Sequence, residues 1–220
     1  MRNLRAVLTA PIIALGLTAC ALSPQVIEVK PTPKVDSQNI GNNTPVAVSA
    51  TDQRSDSAFG TRGGIYGDTS LIRPADDIPQ VLISAVKKGL QAQGFNAYNP
   101  TDNASGLDIR LKELSYVPES GSIVNRVEVK AVIEAAAINA AGDKYVGTYS
   151  TGNTYEQPVT PSAKRNEEMI NEVLSRGLTK MFADPNLTRF LTGNGAGNST
   201  SNVGDDEDIN ATVVIPPINQ

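Results

Sequence analysis

The 220-residue chain contains no histidine, no tryptophan and a single cysteine, and aromatic residues make up only 5% of it. Without histidine, no side chain has an unperturbed pKa near neutrality, and the commonest metal ligand is missing. The lone cysteine, at position 20, has no partner within the chain, so a folded domain must rest on a packed core rather than on disulfides. Basic residues are also few, with 19 Lys and Arg against 23 Asp and Glu. Neutralising phosphates requires a clustered basic surface, so this balance argues against nucleic acid as a partner.

The N-terminus does carry a pattern. Arg2 and Arg5 precede an apolar run from Ala6 to Leu17, interrupted by Pro11 and Gly16, and the run leads into Leu17-Thr18-Ala19-Cys20. It is shorter than the ~20 residues needed to cross a hydrocarbon core. Ordinary secretory cleavage favours an A-x-A-like site, to which Thr18-Ala19-Cys20 is a poor match. The stretch resembles the lipobox of bacterial lipoprotein precursors. That resemblance implies that residues 1–19 are a signal peptide, that the Cys20 sulfur receives a diacylglyceryl group, and that the freed amino group is acylated. The implied partner is therefore a membrane, held through a lipid anchor at Cys20. Cleavage would remove Arg2 and Arg5, leaving 17 basic residues against 23 acidic ones.

Residues 20–43 read as a lipidated N-terminus and flexible tether, since Pro24, Pro31 and Pro33 sit among polar residues and the apolar positions are only Val26, Ile27 and Val29. A strand is predicted over Val46 to Thr51. The loop after it gathers Gly60, Gly63, Gly64 and Gly67, but no Lys-Ser/Thr pair follows, so it is not a P-loop. A helix is predicted from Asp77 to Gln93, with Ile78, Val81, Leu82, Ala85, Val86 and Leu90 on one face and Gly94 as its stop. Ser84 and Lys87 match the S-x-x-K nucleophile pattern, but neither S-D-N nor K-T-G occurs, so the match reads as accidental.

Gly94 to Tyr98 continue as a short strand, and Leu107, Ile109 and Leu111 alternate into another. The parity then shifts to Leu114 and Tyr116, which predicts a bulge near Glu113. Residues Ile123 to Asn139 fit a strand or a helix. Ala141-Gly142-Asp143 favours a hairpin whose return strand carries Tyr145, Gly147 and Tyr149. A second long helix is predicted after Pro161 to Phe182, followed by a short turn capped by Asp184. Residues 192–220 hold no basic residue and read as a disordered acidic tail. Within it, Asp206 to Pro217 fails as a calcium loop, because the sixth position is Ala211 and the twelfth is Pro217. Residues Ala211 to Ile218 resemble a peptide that adds a strand to a partner's sheet.

These elements predict an α+β domain over residues 44–191. It would be a two-layer sandwich in which a four- to five-stranded, mostly antiparallel sheet carries two long helices on one face. Glu128, Lys130 and Glu134 would lie on the uncovered face. The lipobox, the Val-x-Val strand running into Asp52-Gln53-Arg54, the Gln93-Gly94-Phe95 helix end, the Leu107-Asp108-Ile109 strand and the Asn171-Glu172-Val173-Leu174 helix together resemble the YajG-like lipoproteins of Gram-negative bacteria. That resemblance implies an outer-membrane lipoprotein facing the periplasm, and it brings no activity, cofactor or metal. Ala21, where an aspartate would retain lipoproteins of this kind in the inner membrane, fits the same destination. Two functions compete. One is a non-enzymatic binding or structural module whose partner is an envelope protein or peptidoglycan. The other is a periplasmic hydrolase acting on a cell-wall substrate through the loop carboxylates Asp52, Asp56 and Asp68.

Overall fold

The computed structural model describes residues 22–64, 67–119, 125–193 and 199–203. Eight strands form one sheet: β1 (Gln25–Ile27), β2 (Val46–Asp52), β3 (Gly60–Thr61), β4 (Leu71–Pro74), β5 (Ser105–Glu119), β6 (Asn125–Ile138), β7 (Lys144–Gln157) and β8 (Ser199–Val203). Its helices are α1 (Ile78–Ala92), α2 (Ala163–Phe182) and the short α3 (Pro185–Leu191). The α+β class holds, but the expected four- to five-stranded, mostly antiparallel sheet does not. The sheet is mixed, because β1–β4, β2–β5, β3–β5 and β7–β8 all run parallel. The added strands β1 and β3 have three and two residues, too few to show a period of two in the sequence. The expected strand over Gly94 to Tyr98 reduces to a bridge between Asn96 and Pro45.

The long antiparallel β5–β6–β7 meander is the frame. One edge of β5 serves two partners, since residues 105–111 pair with β2 and Tyr116 pairs with Gly60 of β3. Between them lies the predicted bulge: Leu111 faces Ile133, Glu113 faces Val132, and Lys112 is the extra residue. The bulge keeps Leu114 and Tyr116 on the same inner face as Leu107, Ile109 and Leu111, and all five are buried.

The helices cover that inner face. The apolar stripe of α1 is buried at Ile78, Leu82, Ala85, Val86 and Leu90, and that of α2 at Met169, Ile170, Val173, Leu174, Leu178, Met181 and Phe182. The first helix ends in a Schellman motif: Gly94, at φ +85°, donates to Gln91 and Phe95 donates to Leu90. A Cβ built on Gly89 would lie 2.1 Å from Cζ of Phe182, so the bare glycine lets the two helices touch.

The tether expectation fails for the described residues 22–43, which lie on the domain. Ile27 and Val29 are each 1% exposed, and β1 pairs with β4. Beyond β1 the chain runs along α2. The backbone N–H groups of Glu28, Lys30, Thr32 and Lys34 donate to the side chains of Glu167, Asn171, Ser175 and Thr179, at 3.0, 2.7, 2.8 and 2.9 Å. The prolines and polar residues that read as coil are what an extended strap on a polar helix face requires. The disorder expected for 192–220 also fails at β8, which pairs with residues 145–149 of β7. Residues 204–220, with the calcium-loop and docking-peptide motifs, lie outside the described residues.

Two substitutions test this packing. Ile27→Ala is expected to cost about 2–5 kcal/mol in denaturant unfolding, the range for a buried large-to-small change, whereas a flexible tether would show almost no loss. Gly89→Ala is expected to lower stability by about 1–3 kcal/mol through overpacking, and adding Phe182→Leu is expected to restore part of that loss.

Candidate functional site

The three carboxylates grouped by the sequence do not assemble. Asp52 is clamped by Arg54, whose Nε and Nη2 donate to its two oxygens at 2.9 and 2.7 Å. The Arg54 side chain is only 5% exposed and stands 4.9 Å from the centre of the Phe59 ring. An enclosed guanidinium requires a carboxylate, so Asp52 is committed to holding Arg54. Oδ1 of Asp56 accepts from the backbone N–H of Ala58 at 2.8 Å and closes the next turn. Asp68 is exposed in a 3-10 turn at Gly67–Thr69. Among the described residues, no group of three or more Asp, Glu, His or Cys is placed to hold a metal.

The other sequence motifs are structural as well. The Nζ of Lys87 stands over the Tyr98 ring, 5.9 Å from its centre, and Ser84 is exposed on α1. In the glycine-rich loop, the buried Ser70 hydroxyl lies 2.8 Å from Oγ1 of Thr61, and 3.1 and 3.0 Å from the carbonyls of Gly63 and Gly67. Gly63 N–H in turn donates to Oγ1 of Thr61 at 2.9 Å, so the described part of the loop is tied together by the Thr61 and Ser70 hydroxyls. Cys20 lies outside the described residues, and Leu22 is the first residue placed.

A polar cluster that the sequence reading missed lies beneath α3. Tyr145, Gly147 and Tyr149 face inward on β7, and both phenol hydroxyls donate to Oδ2 of Asp184, that of Tyr149 at 2.8 Å. The other oxygen of Asp184 accepts from Asn186 N–H at 2.8 Å and caps α3. Gly147 leaves the space, since a Cβ there would lie 2.3 Å from the Tyr149 hydroxyl. Burial and then the Asp184 charge push the Tyr149 phenol well above its ordinary value. Burial likewise pushes Tyr155 and Tyr116 up to about 12, although Arg62 opposes the shift at Tyr116. Tyr116 donates to Asn166 at 2.8 Å. These phenols are therefore neutral donors that hold the interior.

The outer face of the sheet carries Glu128, Lys130 and Glu134, as expected. Arg110 bonds both Asp108 and Glu134, at 2.7 and 2.8 Å, and Lys130 pairs with Glu113 at 3.0 Å. At the end of the sheet near the β6–β7 turn lies a shallow groove of about 610 Å³, in which Ala47, Gly106, Ala136, Ile138 and Val146 sit beside Asp108, Arg110 and Lys144. Ile138 is 45% exposed there. Chemically this face offers apolar contact beside the Arg110 and Lys130 ion pairs and the exposed Glu128.

A family model described as an uncharacterized lipoprotein matches residues 31–192. The chain belongs to this lipoprotein family. A similar family protein is the uncharacterized lipoprotein YajG of Escherichia coli K12, 25% identical over 190 residues, which make up 84% of this chain and 95% of that protein. The YajG-like resemblance therefore stands. Among solved structures, a Xanthomonas campestris protein is 13% identical with a TM-score of 0.44, the match covering 76% of this chain and 93% of that one. A minor lipoprotein of Acinetobacter baumannii is 15% identical with a TM-score of 0.38, covering 69% of this chain and 94% of that one. No described helix is long and apolar enough to cross a membrane.

The buried phenols predict an alkaline limit to stability. Each binds its proton more tightly in the folded state than in the unfolded state, so its contribution is complete below the ordinary tyrosine value of about 10. It is lost as the pH rises from there through the folded value, at up to about 1.4 kcal/mol per pH unit for each tyrosine. Denaturant stability is expected to fall between pH 10 and about 12, and Tyr116→Phe to make that fall shallower. An unchanged slope in this variant would contradict the assignment.

Proposed function

We propose that this lipoprotein is a non-enzymatic binding or structural module, anchored through Cys20 to the periplasmic leaflet of the outer membrane. The observation that carries this reading is where the reactive-looking residues went. Asp52, Asp56, Lys87 and the glycine-rich loop all serve local structure, while the outer sheet face presents a groove that no described element covers. Family membership supports the lipid anchor, and Ala21 in place of aspartate supports the outer membrane. The partner class is an envelope protein or peptidoglycan.

Cys20→Ser removes the thiol needed for the thioether. Palmitate labelling is expected to vanish and the protein to leave the membrane fraction; normal labelling and fractionation would refute the anchor. In the native protein, outer-membrane banding on a sucrose gradient is expected, with Ala21→Asp shifting it to the inner membrane. Incubation with peptidoglycan fragments should give retention or no interaction, without cleavage. Turnover abolished by Asp52→Asn would favour the hydrolase instead.

A further inference from the structure

We propose that the domain stands end-on against the bilayer, with the end where β1 begins and β5 and β7 finish resting on the lipid surface, and with the open-face groove held away from it. The proposal rests on the reading of Cys20 as the lipid site and adds an orientation to it. Its basis is the length of the leash. The chain is already fixed to the domain at Leu22 and Ser23: Nη1 of Arg62 donates to the Ser23 carbonyl at 2.9 Å, and Leu22 packs beside Gly64. Only two residue steps separate Cys20 from Leu22, and even fully extended they span about 7 Å. That is close to the thickness of one headgroup layer, roughly 5–8 Å, so the lipid-bearing sulfur reaches the acyl boundary only if this end of the domain meets the headgroups.

Strand directions identify that end. β1 is parallel to β4, β4 antiparallel to β3, and β3 parallel to β5, so β1 runs against β5. The segment leading into β1 therefore emerges where β5 stops, where β6 starts and β7 stops. Two exposed valines belong to this end: Val117, which is 48% exposed, and Val159, which is 69% exposed and lies two residues past β7. Singly exposed apolar residues are ordinary, but these two share the end to which the anchor leads. The opposite end carries the turn at Ala141 and Gly142 and the groove with Ile138. Fourteen residues of β6 separate the two ends, about 45 Å of strand.

The chain's only cysteine is the lipid site, so one added cysteine gives a single labelling position on the lipidated protein. Val117→Cys, Val159→Cys, Ala141→Cys and Lys144→Cys would each carry an environment-sensitive dye. The lipidated full chain would then be bound to phosphatidylethanolamine–phosphatidylglycerol vesicles containing nitroxide headgroup lipids. Labels at 117 and 159 are expected to blue-shift and lose emission, while labels at 141 and 144 keep theirs. Co-flotation with the vesicles reads the anchor separately. Protein that floats with unquenched labels at 117 and 159, or with equal quenching at all four positions, overturns the orientation alone. Protein that fails to float overturns the anchor reading and the orientation with it.

Discussion

A match of two spacings holds residues 28–34 in place on the domain. Two residues of extended backbone advance about 6.2–6.6 Å, and four residues of α-helix advance about 6.0 Å, so alternate amides of a strap meet every fourth residue of a helix almost in register. The row Glu167, Asn171, Ser175 and Thr179 of α2 uses this match against Glu28, Lys30, Thr32 and Lys34. Asn171 does most, accepting from Lys30 and donating to the Glu28 carbonyl at 2.9 Å, as a neighbouring strand would. The strap also reaches the start of α1, where Asp76 accepts from Val29 N–H at 3.1 Å. Its polar backbone being satisfied in this way, the strap can bury Ile27 and Val29 against the helix layer.

The helix stripes, the Gly94 stop, the bulge beside Glu113 and the hairpin at Ala141–Gly142 were legible because each has a local cause: a period, a positive φ, a parity shift, a turn. The strap was not legible, because backbone bonds to helix side chains impose no pattern on the strap itself. Its trace lies in α2 instead, as Asn171, Ser175 and Thr179, short hydrogen-bonding residues of middling helix propensity at four-residue spacing. The cluster of Tyr145, Tyr149 and Asp184 was hidden for another reason. Its members come from separate elements, and only Gly147 between the two tyrosines hints that their rings share a space. Among the candidate acids, the Asp52–Arg54 clamp was within reach of the sequence, since positions i and i+2 of an extended chain share a side.

The two faces of the sheet divide the labour. The inner face is lined with small residues where helices approach, among them Ala131, Ala135 and Gly147, and Gly177 of α2 sits so close to the sheet that a Cβ would lie 2.9 Å from Ile133. Such close packing favours a rigid two-layer body. The outer face carries the ion pairs of Arg110 and Lys130 and, at one end, a groove where apolar residues sit beside Asp108, Arg110 and Lys144, so interaction chemistry lies on the side of the sheet that no described helix covers.

The strap's direction has a mechanical consequence. It runs alongside α2 in the same sense, from Glu28 beside Glu167 to Lys34 beside Thr179. A pull on the chain at Leu22 acts along the strap axis and loads its bonds to α2, together with the β1–β4 ladder, in shear. Bonds loaded in shear share the force and yield together, whereas bonds peeled from one end yield one at a time. A protein tugged from its N-terminus by a membrane would thus meet that tension with the strongest geometry its first strand can offer.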